Sequence, residues 1–193
     1  MSLDRRAAMT TLLADRPKNL FVVPGLGSTT WDAAAAGDDD RNFYLWGAMG
    51  GAAMIGLGLA LAQPKLRVAV ITGDGEMLMG LGSLATIGVQ QPPNLFVVVF
   101  DNGLYGETGM QASHTQSGVD LCNVARACGF ERVLDIVDED GLRALATLMR
   151  TSNKMLFARV RIAPNDPPRV LPEKDGIVIK DRVRSAVERV TAS

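Results

Sequence analysis

A chain of 193 residues that is 47% hydrophobic has apolar material for one full core, so a single domain with a short extension is expected. A formal net charge of -1, no long block of like charge and 5% aromatic residues exclude a nucleic-acid footprint and a base-stacking platform. Cys122 and Cys128 match no metal spacing, and the charged start Met1-Ser-Leu-Asp-Arg-Arg lacks the apolar stretch of a secretory signal, so a reduced, cytoplasmic setting is expected.

Residues 3–15 read as an amphipathic helix, and Leu20–Val23 as a short strand broken by Pro24-Gly25. Ser28 or Thr29 is expected to cap a helix running through Ala36, with 37–41 as an exposed turn. Phe43–Trp46 reads as a short strand entering a Gly-rich helix over 49–62. The uncharged run 43–62 approaches bilayer length, but its five glycines and the strand that follows favour a buried helix and no membrane. Strand 67–72, helix 76–90 and strand 94–100 come next. The segment 103–118 has no period, carries three glycines in its first seven residues, and reads as a functional loop. Helix 118–128, strand 131–137, helix 139–151 and strand 155–162 follow, then a Pro-rich stretch over 165–175 and a terminal helix over 178–190. This alternation predicts an α/β fold, doubly wound, with a mostly parallel sheet and helices on both faces. Residues 1–163 are expected to form the ligand-binding domain, with 164–193 an extension packing on it or on a partner.

Two turns stand out. Val68–Thr72 runs into Gly73-Asp74-Gly75, and Leu95–Phe100 runs into Asp101-Asn102, with one helix-length segment between. Parallel strands joined this way place both turns at the carboxyl edge of the sheet, where open α/β sheets bind ligands. Alone, Asp74 would serve as a helix N-cap. Flanking glycines and a second polar turn one crossover later add a metal-and-phosphate reading. The Asp74 carboxylate and the Asn102 amide oxygen are hard ligands suited to magnesium, and a metal with so few protein ligands is completed by a phosphorylated one. The free amides at the start of the following helix favour phosphate too. No Gly-Lys-Ser/Thr occurs and the dinucleotide fingerprint spacing is missing, which disfavours a nucleotide triphosphatase and a nicotinamide enzyme.

Gly73-Asp74-Gly75, followed 28 positions after Asp74 by Asn102, resembles the signature of thiamine diphosphate-dependent enzymes, in their pyrophosphate-binding domain. Asp101 stands where that family has a first asparagine. Gly47-Ala-Met-Gly50 resembles the segment under the cofactor's aminopyrimidine, and Leu104-Tyr-Gly106 the loop after the metal. Tyr105-Gly-Glu-Thr-Gly-Met-Gln111 is similar to phosphonopyruvate and sulfopyruvate decarboxylases, with Glu107 departing where they carry Ser or Thr.

The resemblance implies thiamine diphosphate and Mg2+ as cofactors. It puts Asp74, Asn102 and the Leu104 carbonyl on the metal. Gly73, Gly75, Glu76, Tyr105 and Gly106 would line the diphosphate, with Ser28 and Thr29 at its terminal phosphate. The Gly47 carbonyl would accept from the cofactor's amino group, and Met49 would prop the cofactor's bend. His114, the only histidine, is a candidate for proton transfer, set against the plain reading as an exposed loop residue. Gln111 and Thr115 are candidates for a substrate's anionic head; Arg159, Arg161 and Arg169 read as solvated or anion-binding.

The family's activating glutamate lies on a separate pyrimidine-binding domain. The chain starts about one helix before its pyrophosphate-binding part, so a partner subunit is expected to supply that glutamate in a homodimer or hetero-oligomer, and the chain alone is expected to be inactive. The reaction implied is decarboxylation of a small 2-oxo acid. The alternatives are a subunit of an acetolactate synthase-like carboligase or 2-oxo acid oxidoreductase, and a non-catalytic cofactor-binding or regulatory subunit.

Overall fold

The computed structural model of the protein describes residues 2–192. The chain runs α1 (Arg5–Leu13), β1 (Leu20–Pro24), α2 (Ser28–Ala35), α3 (Ala52–Ala62), β2 (Arg67–Gly73), α4 (Asp74–Met79), α5 (Gly82–Gln90) and β3 (Leu95–Asp101). A small hairpin, β4 (Leu104–Tyr105) and β5 (Gln111–Ala112), precedes α6 (Leu121–Ala127), β6 (Val133–Ile136), α7 (Glu139–Thr151), β7 (Leu156–Arg161) and α8 (Gly176–Thr191).

Five strands form one parallel sheet in the order β1-β2-β3-β7-β6. The strands are apolar throughout because each side is covered. Val22, Ile71, Val98 and Ala158 face a core with α1, α2 and α7, while Phe21, Val70, Val97 and Phe157 face one with α3 to α6. Right-handed crossovers explain the split. The chain advances from β1 to β3 and on to the edge strand β6, with the crossover helices α3 to α6 on one face and α2, early in the first crossover, on the other. It then steps back to β7, which sends α7 to the other face.

Several boundaries differ from the sequence reading. Phe43–Trp46 forms no strand; its backbone joins the sheet through the Phe43 N–H, which donates to Val22 O at 2.8 Å beside the Val22–Asn42 bridge, and Tyr44 packs into the core. α3 starts at Ala52, not residue 49, because Gly47 and Gly50 hold φ of 75° and 88°, outside helical space. The helix expected over 76–90 is two helices, broken where Gly80 packs on Gly50: a Cβ on Gly80 would stand 2.3 Å from the Gly50 carbonyl oxygen. α6 begins late, at Leu121, where Asp120 accepts from the Cys122 and Asn123 N–H groups. The terminal helix α8 rests on the 38–44 segment. Arg182 makes two 2.9 Å bonds to Asp38, which also accepts from the Tyr44 hydroxyl, and Ile179, Val183 and Ala186 are buried.

Candidate functional site

The strand register decides which side chains meet. Pro24 lies opposite Ile71, and Gly73 opposite Phe100, so β1, β2 and β3 end side by side. Beyond those ends opens a cleft of about 170 Å3. Ser28, Thr29, Met49, Gly73, Asp74, Gly75, Glu76, Asn102, Leu104, Tyr105 and Gly106 all line it. Gly47 and His114 do not. A larger depression of about 900 Å3 lies between α1 and α7, but its lining holds neither the glycine turns nor a buried carboxylate.

Asp74 opens α4 and is 2% exposed. Its Oδ2 accepts from the Ser113 hydroxyl and from Thr115 Oγ1 at 3.2 Å. Thr115 Oγ1 also stands 2.9 Å from Asp101 Oδ1, so its single proton is shared between the two acidic turns, with the shorter contact to Asp101. Burial pushes the Asp74 carboxyl up from its ordinary range, and the Asp101 charge adds to this; the Ser113 and Thr115 hydroxyls oppose it. Asn102 folds into an Asx turn, its Oδ1 accepting from Leu104 N–H at 2.9 Å, and Asp101 does the same for Gly103 N–H at 3.0 Å.

A divalent cation fits this donor set. Asp74, Asn102 and the Leu104 peptide bring hard oxygens to one cleft, and a buried carboxylate beside another carboxylate gains from a positive neighbour. Room for a phosphate against the backbone exists as well, because a Cβ on Gly73 would meet no atom within 4 Å. At Gly75 the opposite holds: a Cβ there would come 2.5 Å from the Tyr105 ring, so glycine lets Tyr105 lie over the start of α4.

Glu76 is 5% exposed and braces the neighbouring wall. Its Oε2 accepts from Leu26 N–H at 2.7 Å and from the Thr72 hydroxyl at 2.8 Å, tying the β1 loop to β2. Burial pushes its carboxyl up, against those two bonds. Its Oε1 is buried without a hydrogen-bond partner.

Neither Ser28 nor Thr29 caps α2. Gly27 is the N-cap residue, with φ 77°, and no side chain bonds there. Thr29 and Thr30 instead turn their hydroxyls back to Gly25 O, at 3.0 and 2.8 Å. Ser28 Oγ reaches Glu107 Oε1 at 3.4 Å, and Arg169, stacked on Trp31 at 4.3 Å, stands 3.8 Å from Glu107 Oε2. Met49 is 40% exposed at the cleft rim. His114 is exposed on the far side of Tyr105, its Nδ1 3.4 Å from the phenol oxygen.

Three residues escaped the sequence reading: Ser113, Arg5 and Asp32. Ser113 holds Asp74 together with Thr115. Arg5 and Asp32 also line the cleft, paired at 3.3 Å and almost wholly buried. A signal for both existed: Arg5 is in step with the apolar stripe Ala8, Met9 and Leu12, and Asp32 sits between Trp31 and Ala33 in an otherwise apolar turn. Arg159 and Arg161 are not free to bind an anion, since both make two bonds to Asp135.

The sequence matches the family described as thiamine pyrophosphate enzyme, C-terminal TPP binding domain, over residues 25–159. A phosphonopyruvate decarboxylase from Streptomyces viridochromogenes is 44% identical over 153 residues, 79% of this chain and 38% of that one. A sulfopyruvate decarboxylase subunit beta from Methanothermobacter thermautotrophicus is 37% identical over 172 residues, 87% of this chain and 89% of that one. The chain therefore spans well under half of the first relative and most of the second. The crystal structure of benzoylformate decarboxylase from Polynucleobacter necessarius superposes with a TM-score of 0.72 at 20% identity, over 87% of this chain and 34% of that one, which shows a shared fold.

Proposed function

This chain belongs to the thiamine pyrophosphate enzyme family, as its C-terminal TPP-binding domain, and from that membership we propose that it is the diphosphate- and magnesium-holding part of a 2-oxo acid decarboxylase. The observation that carries the reading is the cleft at the ends of β1 to β3. It joins a buried Asp74, Asn102 and the open backbone at Gly73 with Tyr105-Gly106 on the facing loop.

Asp74, Asn102 and the Leu104 carbonyl would hold the magnesium ion. Gly73 would let the diphosphate approach the backbone, with Ser28 on its outer side. When bound, thiamine diphosphate supplies the electron sink for loss of carbon dioxide. What this chain contributes is position: Ser113 and Thr115 orient Asp74, Glu76 fixes the Leu26 wall, and Tyr105 covers the start of α4.

The substrate proposed is a small 2-oxo acid with a phosphonate or sulfonate head, on the names of the two relatives. A partner subunit is proposed to carry the pyrimidine-binding domain and the activating glutamate. Among the described residues Glu76 is the only buried glutamate, and Leu26 N–H and the Thr72 hydroxyl hold its Oε2. Residues 1–163 are read as the cofactor domain and 164–193 as an extension lying on it through α8. Both cysteines are free thiols, in keeping with the reduced cytoplasm proposed, and among the described residues no helix is long and apolar enough to cross a membrane.

The test is carbon dioxide release from sulfopyruvate and phosphonopyruvate by this chain, with and without a co-expressed pyrimidine-domain chain. Activity in the mixture alone is expected. Full activity of the lone chain would overturn the partner requirement.

A further inference from the structure

Arg5 is out of keeping with its surroundings. It opens α1 at 3% exposure and lines the cleft beside Leu26, Thr29 and Asp32. Nε and Nη2 are buried, and neither has a hydrogen-bond partner. Asp32, its ion-pair partner, lies 3.3 Å away, yet Asp32 Oδ2 and Arg5 Nε both lack a hydrogen bond. The better-aligned bond to Asp32 comes from Arg6, at 3.2 Å to Oδ1. Arg159, at 8% exposure, shows what a satisfied arginine looks like here, with Nε and Nη2 bonds of 3.0 and 2.7 Å to Asp135.

A guanidinium keeps its proton and presents a planar fork of donors, so leaving it buried without acceptors is costly. Such a group fits an oxyanion that arrives from the cleft. The charges lining that cleft agree: Asp32, Asp74, Glu76 and Glu107 are acidic, and Arg5 is the sole cation among them. A diphosphate ester with one divalent cation would keep surplus negative charge, which a buried guanidinium could meet. Arg5 lines the same cleft as Thr29 of α2 and Leu26 of the β1 loop.

We propose that Arg5 binds the outer phosphate of the cofactor's diphosphate from the floor of the cleft, with Asp32 holding the guanidinium in place. The fork geometry suits two phosphate oxygens at once. The inference rests on the cofactor reading above and deepens it. It assigns a binding role to a helix that precedes the region matched to the family, which starts at residue 25.

Calorimetric titration of the chain with Mg2+ and thiamine diphosphate, and in parallel with Mg2+ and thiamine monophosphate, tests it. If the wild-type chain, alone or with a pyrimidine-domain partner, binds neither ester, the cofactor reading itself falls. If it binds, Arg5→Gln is expected to weaken the diphosphate by about tenfold or more, the scale of a lost charge-assisted bond, while leaving the monophosphate within about twofold. Arg5→Lys keeps the charge without the fork and is expected to lose roughly threefold, again for the diphosphate alone. Should Arg5→Gln fail to fold, as judged by circular dichroism, Arg5→Lys carries the same comparison. Equal losses for both esters, or no loss for either, would overturn the assignment and leave Arg5 a structural residue.

Discussion

Ser113 donates its hydroxyl to Asp74 Oδ2, joining the hairpin loop after β3 to the first residue of α4. The bond sets the carboxylate proposed for the metal by means of a residue 39 positions away in sequence. Ser113→Ala leaves Asp74 with the longer Thr115 bond alone. Magnesium-dependent thiamine diphosphate binding is expected to weaken by about tenfold, in line with one lost hydrogen bond to a charged group. Calorimetry reads this directly; unchanged affinity would show that Asp74 needs no such support.

Glu107 stands where the decarboxylase pattern has a small hydroxyl residue, and its carboxylate faces Ser28 at the start of α2. A negative charge there opposes a phosphate. Glu107→Thr is expected to tighten thiamine diphosphate binding by about 3–10-fold, because a partly exposed charge at this range is worth about 1 kcal/mol. The gain should shrink as salt is raised. Weaker binding by the variant would instead make Glu107 a supporting residue.

Gly80→Ala tests the break between α4 and α5. Its Cβ would meet the Gly50 carbonyl oxygen, a backbone atom with little freedom to retreat. The expected cost is about 2–3 kcal/mol of stability, the upper range for overpacking. Denaturant melting measures it, and a change below about 0.5 kcal/mol would mean that the two turns separate easily.

Asp135 ties two neighbouring arginines on β7. Burial alone would raise its carboxyl, but the bonds from Arg161 and Arg159 prevail and lower it to about 2. A depressed folded value means that the contribution is complete above the ordinary carboxyl range and is lost as pH falls from about 4 through about 2. Solvent access limits its size to about 1 kcal/mol. Asp135→Asn should therefore be less stable than wild type at pH 7, with the gap closing near pH 2.

The sheet was legible because its strands are unbroken apolar runs with alternate faces both buried, and the acidic turns at their ends lie in fixed register. The helix starts were less so. Gly50 and Gly80 act on each other across the fold, and neither shows in its own neighbourhood that it interrupts a helix. The site divides in the same way. Asp74 and Asn102 announce themselves by spacing along adjacent strands. Arg5 and Asp32 show a local sign of burial in their helices but not that they face this cleft, and Ser113 and Thr115 meet Asp74 through loop packing, which no local pattern encodes. Ser28 and Thr29 line the cleft but do not cap α2, since Gly27 takes the cap position and Thr29 bonds back to Gly25.

The central claim is that this chain holds thiamine diphosphate through a metal on Asp74. Titration calorimetry of wild type and Asp74→Ala with thiamine diphosphate, with and without magnesium, tests it most directly, together with the melting curve of each unliganded protein. The account predicts saturable, magnesium-dependent binding by wild type and its loss in a variant that still folds. No binding by the wild-type chain, alone or with a pyrimidine-domain partner, would contradict it.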